Sequence, residues 1–243
     1  MINFILNAIK IIILLGTLVF IHELGHFTVA KLFRIRVNEF AIGFGPVIWK
    51  KQGKQTKYAL RLIPLGGFVS MEGEEERSAK EGSFSEAGLL KRICVIAAGG
   101  VVNIIVALII YFTLVWHYND LGTAFIAVKD FFFSIFISLK MLFTGGVTIN
   151  QMMGPVGISS VVAKTNGVLD FFYIFSLISL SLGVTNLLPF PPLDGGKIVL
   201  LIIEGIRRKP LSEKVETYLQ LAGFGILILL SLYVTYNDII RIV

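Results

Sequence analysis

Residues 5–31 read ILNAIKIIILLGTLVFIHELGHFTVAK, and the reading of this stretch decides the fold. Before His22 its only charge is Lys10, so it predicts a helix long enough to cross about 30 Å of hydrocarbon. The same helix ends in His22-Glu23-Leu24-Gly25-His26. Two histidines four apart project from one helix face, about a turn from each other, so both imidazoles reach one metal ion. Glu23, beside the first, then stands near the metal without having to ligate it, where a base for a metal-bound water belongs. Ionisable groups at membrane depth are costly and mark function, which makes a zinc protease working inside the bilayer the first reading of this chain.

The rest of the composition agrees with a membrane protein. The 243 residues are 55% hydrophobic and 16% charged, with a mean hydropathy of +0.82, too apolar for a soluble domain of this size. Four runs are long enough to span: about 5–31, 93–116, 171–188 and 218–236. A fifth, 131–143, is shorter and interrupted by Lys140, and predicts an interfacial or re-entrant helix. The expected fold class is therefore an all-α polytopic membrane protein of four transmembrane helices, with a small cytoplasmic, membrane-associated β-hairpin and one interfacial helix, forming a single core over 1–243. The first run is too long for a cleavable signal peptide, lacks a small-residue cleavage site and itself carries the histidines.

The net charge of +6 has a distribution that explains it. Twelve Lys or Arg fall from Lys31 to Arg92, and five more (Lys197, Arg207, Arg208, Lys209, Lys214) between the third and fourth spans. Only Lys129, Lys140 and Lys164 lie between the second and third. The positive-inside rule puts both basic loops in the cytoplasm and both termini outside. Nucleic acid is not expected as a partner, because the basic residues are scattered among apolar strands and an acidic run. Cys94 falls inside the second span, where it reads as a small packing residue.

After the first span, Val47 to Lys51 and Lys57 to Ile63 alternate on either side of Gln52-Gly53-Lys54-Gln55, which predicts a β-hairpin within 40–69. Pro64-Leu65-Gly66-Gly67-Phe68-Val69 follows, a turn-rich segment able to dip into the membrane where its backbone lines protein or water. Glu72 to Glu86, with Glu74-Glu75-Glu76, reads as a solvated cytoplasmic loop. The second span opens on Ala97-Ala98-Gly99-Gly100 and Asn103, either a packing seam with an interhelical hydrogen bond or a neighbour of the active site. His117, at the outer end of that span, reads as a solvated interface residue.

Catalytic zinc needs three protein ligands and an open position. With His117 on the wrong side, the third ligand is expected to be a carboxylate, and Asp194 is the strong candidate. It lies in Asn186-Leu187-Leu188-Pro189-Phe190-Pro191-Pro192-Leu193-Asp194-Gly195-Gly196, where the prolines end the third span and the two glycines release the backbone. The plainer alternative for this segment is a helix-ending turn into the next loop.

His22 to His26, Gly43-Phe44-Gly45, Arg61 to Val69, Ala98-Gly99 with Asn103, Gly154-Pro155-Val156-Gly157-Ile158 and Asn186 to Gly196 together resemble the site-2 protease family of intramembrane metalloproteases. The likeness is greatest to its bacterial branch, the regulator of sigma-E proteases, and covers roughly 20–105 and 150–200. The resemblance implies Zn2+ held by His22, His26 and Asp194, with Glu23 as catalytic base. It implies that Asn186 positions the substrate and that the hairpin before Pro64 offers it an edge strand. Tyr58 and Leu60 on that edge, with Gly66 and Gly67 after it, are the expected substrate-binding residues. It further implies cleavage of transmembrane segments, either anti-sigma factors or signal-peptide remnants, in the bacterial cytoplasmic membrane, with the active site near the cytoplasmic side. Two departures stand out. The family's Ala-Gly-Pro reads Ala98-Gly99-Gly100, and the PDZ domains of this branch have no room between the second and third spans. Their filtering role would then be absent or supplied by an accessory protein.

Other classes fit less well. A membrane di-iron oxygenase needs many more histidines than the three here, and a transporter would show an internal hydropathy repeat. The remaining alternative is a non-catalytic, zinc-holding scaffold, against which Glu23 argues, since a structural zinc site needs no base.

Overall fold

A computed structural model describes residues 2–146 and 153–242. Their elements run α1 (Ile2–Leu32), β1 (Val37–Gln52), β2 (Lys57–Met71), α2 (Leu89–Tyr118), α3 (Leu121–Phe143), α4 (Pro155–Ala163), α5 (Val168–Asn186), α6 (Asp194–Arg207) and α7 (Glu213–Ile242). Four helices are long and apolar enough to cross a membrane: Ile5–Leu32, Leu89–Tyr118, Val168–Asn186 and Glu213–Arg241. These are the four spans expected from hydropathy. The second starts a little earlier, because Leu89 to Arg92 continue the helix into a polar turn.

α2 lies between α1 and α5 and packs on both. Leu14 and Leu18 of α1 are buried with Val162 of α4 and Phe175 of α5, while Ala107 of α2 is buried with Phe131 of α3 and Leu180 and Val184 of α5. A third cluster joins the end of α1 (Ala30) to the strands (Val37, Met71) and the start of α2 (Val95, Ile96). The histidine turn of α1 is thus held between two packed layers. The outward faces of the long helices remain exposed and apolar, as in Ile5, Ile9, Ile109, Phe172 and Leu229, which suits a lipid surround.

The strands are longer than their sequence pattern predicts, because each is bent and paired twice. β1 and β2 pair antiparallel, yet Phe40 faces both Val69 and Tyr58, Ala41 both Phe68 and Ala59, and Ile42 both Gly67 and Leu60. Beyond the bend, Trp49 also faces Leu60, and Lys51 also faces Tyr58. The bend is made at Gly43 (φ 87°) and Gly45 (φ 81°), a left-handed backbone that glycine adopts without steric cost. It is inserted deeply. A Cβ on Gly16 would lie 3.4 Å from the Pro64 carbonyl oxygen, six residues from His22, or about 9 Å further along the helix.

α3 departs from the expected short interfacial helix over 131–143. It begins ten residues earlier, at Leu121, because Asp120 caps it by accepting the Thr123 N–H at 3.0 Å. It then runs back along α2, with Phe125 against Phe112 and Phe131 stacked on Tyr111 at 4.1 Å between ring centroids. α3 and α4 are the elements described between α2 and α5, and no PDZ-like unit is found there among the described residues. Cys94 is exposed rather than packed into the core.

Candidate metal centre

His22 and His26 occupy one turn of α1, both buried, with 9% and 7% of their surface exposed. Asp194 is the first residue of α6, where the unpaired N–H groups of a helix N-terminus favour a negative side chain. The three meet. His22 Nε2 lies 3.2 Å and His26 Nε2 3.3 Å from Asp194 Oδ2, and the two Nε2 atoms are 3.2 Å apart. Zinc with ligands at 2.0–2.1 Å in a tetrahedron separates them by about 3.3–3.4 Å, nearly the triangle found here. Asp194 Oδ2 is buried and has no hydrogen-bond partner, which fits an oxygen turned toward a cation. The residues present therefore fit a zinc ion.

Each imidazole is oriented from behind. His26 Nδ1 donates to the Val95 carbonyl oxygen at 2.8 Å, and His22 Nδ1 lies 3.4 Å from the Asn103 side-chain amide. The floor is Gly99. A Cβ there would overlap His26 Nε2 and come within 2.8 Å of His22 Cε1, so the small residues opening α2 make room for the imidazoles. The Asp194 loop is equally close. A Cβ on Gly195 would strike the carbonyls of Leu187 and Leu188, and one on Gly196 would lie 2.7 Å from the Pro191 nitrogen. Both glycines are helical residues of the first turn of α6. They serve close approach, not the unwinding expected from the sequence.

Glu23, half-buried on the same turn, faces β2. A Cβ on Gly67 would stand 3.2 Å from Glu23 Cγ and 2.9 Å from the Ala41 carbonyl oxygen. Gly67 is thus brought to the site, and Gly66 lies beside it beneath the Phe44 ring. Asn186 closes α5 at the start of the loop leading to Asp194. Tyr58 and Leu60 do not form the expected edge. Both are paired on each side within the sheet, and the Tyr58 ring packs 6.1 Å from Phe27. Residues 67–71 are instead paired on one side only, with β1.

The acidic loop after β2, expected to be solvated, is docked. Lys197, one turn beyond Asp194 on α6, donates to Glu74 at 2.9 Å. Burial would lower its pKa, yet Glu74 holds it above the ordinary lysine value. Glu204, buried, accepts Arg77 at 2.7 Å, Arg92 at 3.2 Å and the Leu211 N–H at 2.7 Å. These pairs line a cavity of about 340 Å³ between the loop, α2, α6 and α7. Lys197 and Glu204 lie seven residues apart on one face of α6, a spacing that marks that face as partnered.

The family described as Peptidase family M50 matches residues 10–230. The chain is 26% identical to "Putative zinc metalloprotease CA_C1796" of Clostridium acetobutylicum, over 96% of its own length and 97% of the relative's. It is 25% identical to "Regulator of sigma-W protease RasP" of Bacillus subtilis, over 98% of its own length and 99% of the relative's. A 96-residue stretch, 39% of this chain and 23% of the relative, is 49% identical to "Putative zinc metalloprotease spr0242" of Streptococcus pneumoniae. The alignment with the Bacillus protein runs over 420 residues against the 243 of this chain, so that relative carries segments with no counterpart here.

Proposed function

The chain belongs to peptidase family M50, and from that membership we propose that it is a zinc-dependent intramembrane endopeptidase cutting transmembrane segments of membrane proteins. The observation that carries this reading is the triangle of His22, His26 and Asp194, with edges of 3.2–3.3 Å and Glu23 on the same helical turn. When bound, zinc would supply Lewis acidity, polarising the scissile carbonyl and lowering the pKa of a water toward neutrality. Glu23 would carry the proton, taking it from the attacking water and handing it to the leaving nitrogen. His22, His26 and Asp194 hold the ion.

A peptide bond within a helix is shielded by its own hydrogen bonds, so the substrate unwinds before it is cut. Residues 67–69, singly paired in the ladder and next to Glu23, offer backbone groups to the unwound strand by β-augmentation. Asn186 positions the substrate from the end of α5. The two basic loops support a cytoplasmic-side site with both termini outside, in the bacterial inner membrane. Membrane-anchored anti-sigma factors and signal-peptide remnants are the substrate classes in view, with an accessory protein filtering them in place of a PDZ domain.

Purified protein in bilayers, given a tagged single-span substrate, tests this. The wild type cuts and holds one zinc per chain; Glu23→Gln holds the zinc and does not cut. Zinc binding without cleavage by either form across a substrate panel would instead favour the non-catalytic scaffold.

A further inference from the structure

We propose that Asn103 is a positioning residue of the metal centre, whose side-chain oxygen accepts the Nδ1–H of His22 and so fixes that ring with Nε2 toward the ion. The inference rests on the metalloprotease reading. Asn103 is fully buried, at 0% exposure, in the middle of α2, where both adjoining helices are apolar. With Nε2 of both histidines turned to Asp194, each Nδ1 carries its ring's proton and needs an acceptor. For His26 that acceptor is the Val95 carbonyl. For His22 the neighbouring polar side chain is the Asn103 amide, 3.4 Å away. The two ends of an amide have nearly the same shape, and the chemistry of the neighbour decides between them. Here Oδ1 has no partner when Nδ2 faces His22. Turning the amide over sets an acceptor against a donor.

A purely structural role for this side chain is disfavoured by a second contact. The polar link between α2 and α5 is Ser179 Oγ donating to the Asn103 backbone oxygen at 2.8 Å, and any residue at 103 would offer that oxygen. The interhelical bond therefore leaves the amide free for His22. The equivalent service to His26 is performed by backbone, so Asn103 is the one of the two supports that a substitution can remove.

Zinc affinity, measured by chelator competition on purified protein, tests the inference without relying on cleavage. Asn103→Leu keeps the branched shape and removes the acceptor, and Asn103→Ser removes its reach without adding bulk; both should bind zinc about 10–100-fold more weakly. Asn103→Asp keeps an acceptor and should stay within about threefold of wild type, as should Ser179→Ala, which removes the interhelical bond alone. Thermal unfolding of the zinc-free proteins checks that the helices still pack. Wild-type affinity in the leucine and serine variants overturns the inference while leaving the protease reading in place, and so does equal weakening by aspartate. A wild type that holds no zinc overturns both.

Discussion

At the scale of single residues, the centre depends as much on what is missing as on what is present. Two imidazoles and a carboxylate can share one ion only if nothing crowds the Nε2 side of the rings, and Gly99 is where that space is kept. In an ordinary helix interior Gly→Ala is stabilising by roughly 0.5–1 kcal/mol. Here the added methyl would overlap His26 Nε2, so the sign reverses at the site. Gly99→Ala should leave the far-ultraviolet helix signal unchanged and weaken zinc at least about tenfold, since ligand positions are useful only within about 0.2 Å. Undiminished zinc in that variant would mean that the rings shift together without losing the ion. Gly25, whose Cβ would approach the Ala98 carbonyl to 2.6 Å, brings α1 and α2 close enough for the arrangement to exist.

At the scale of elements, what was legible in the sequence was what a helix or strand encodes along itself. The four spans, the shared face of His22 and His26, and the end of α5 before the prolines all follow from local periodicity and breakers, whereas the helix that starts at Asp194 reads in the sequence as an unwound segment. The double pairing of β1 was not legible, because alternation gives a strand its faces but not its number of neighbours. That is why Tyr58 and Leu60 looked like an edge and are interior. The early start of α3 had a signal in Asp120 and Thr123, a cap read in the sequence as part of a loop. The docked acidic loop could be inferred only by pairing Glu74 with Lys197 and Arg77 with Glu204 across more than a hundred residues. The departure at Gly100 belongs here too. A Cβ on Gly100 would lie 2.8 Å from the Gly183 carbonyl, and one on Gly183 2.6 Å from that of Gly100, so α2 and α5 touch backbone to backbone. Alanine at either position overpacks the seam and should cost about 1–3 kcal/mol. A lower melting temperature in detergent, common to both variants and less than additive when they are combined, is the expected result; unchanged melting would place the two helices further apart.

At the scale of the whole molecule, the helices are not equally committed to the core. α1, α2 and α5 are bound to one another, and α1 also to the sheet, whereas α7 packs mainly on α4 and touches other elements lightly. Its N-terminal end is held where Arg77 meets Glu216 at 3.4 Å and where Gly223 receives the Pro191 loop. Its other end is held by one buried carboxylate. Asp238, 2% exposed, accepts the N–H groups of Gly154 and Gly157 at 2.9 and 2.8 Å, capping α4 from across the chain. Both glycines are needed, because a Cβ on either would lie 2.9 Å from an Asp238 carboxylate oxygen. This accounts for the two glycines of the Gly154-Pro155-Val156-Gly157 motif. α4 in turn reaches α1, where Lys10 donates to the Thr165 carbonyl at 3.0 Å, so α7 is tied to the core through α4. Asp238→Ala leaves two buried donors unpaired, a loss of about 1–3 kcal/mol for each, and it should release the outer half of α7 while the metal centre stays intact. Hydrogen exchange in bilayers should rise over 154–160 and 230–240 with zinc content unchanged, Asp238→Asn falling between alanine and wild type because one amide oxygen still accepts. Exchange that rises equally across α1 and α2 would show instead that α7 is part of the core, and that the clasp at Asp238 stabilises the whole bundle, not its outermost helix alone.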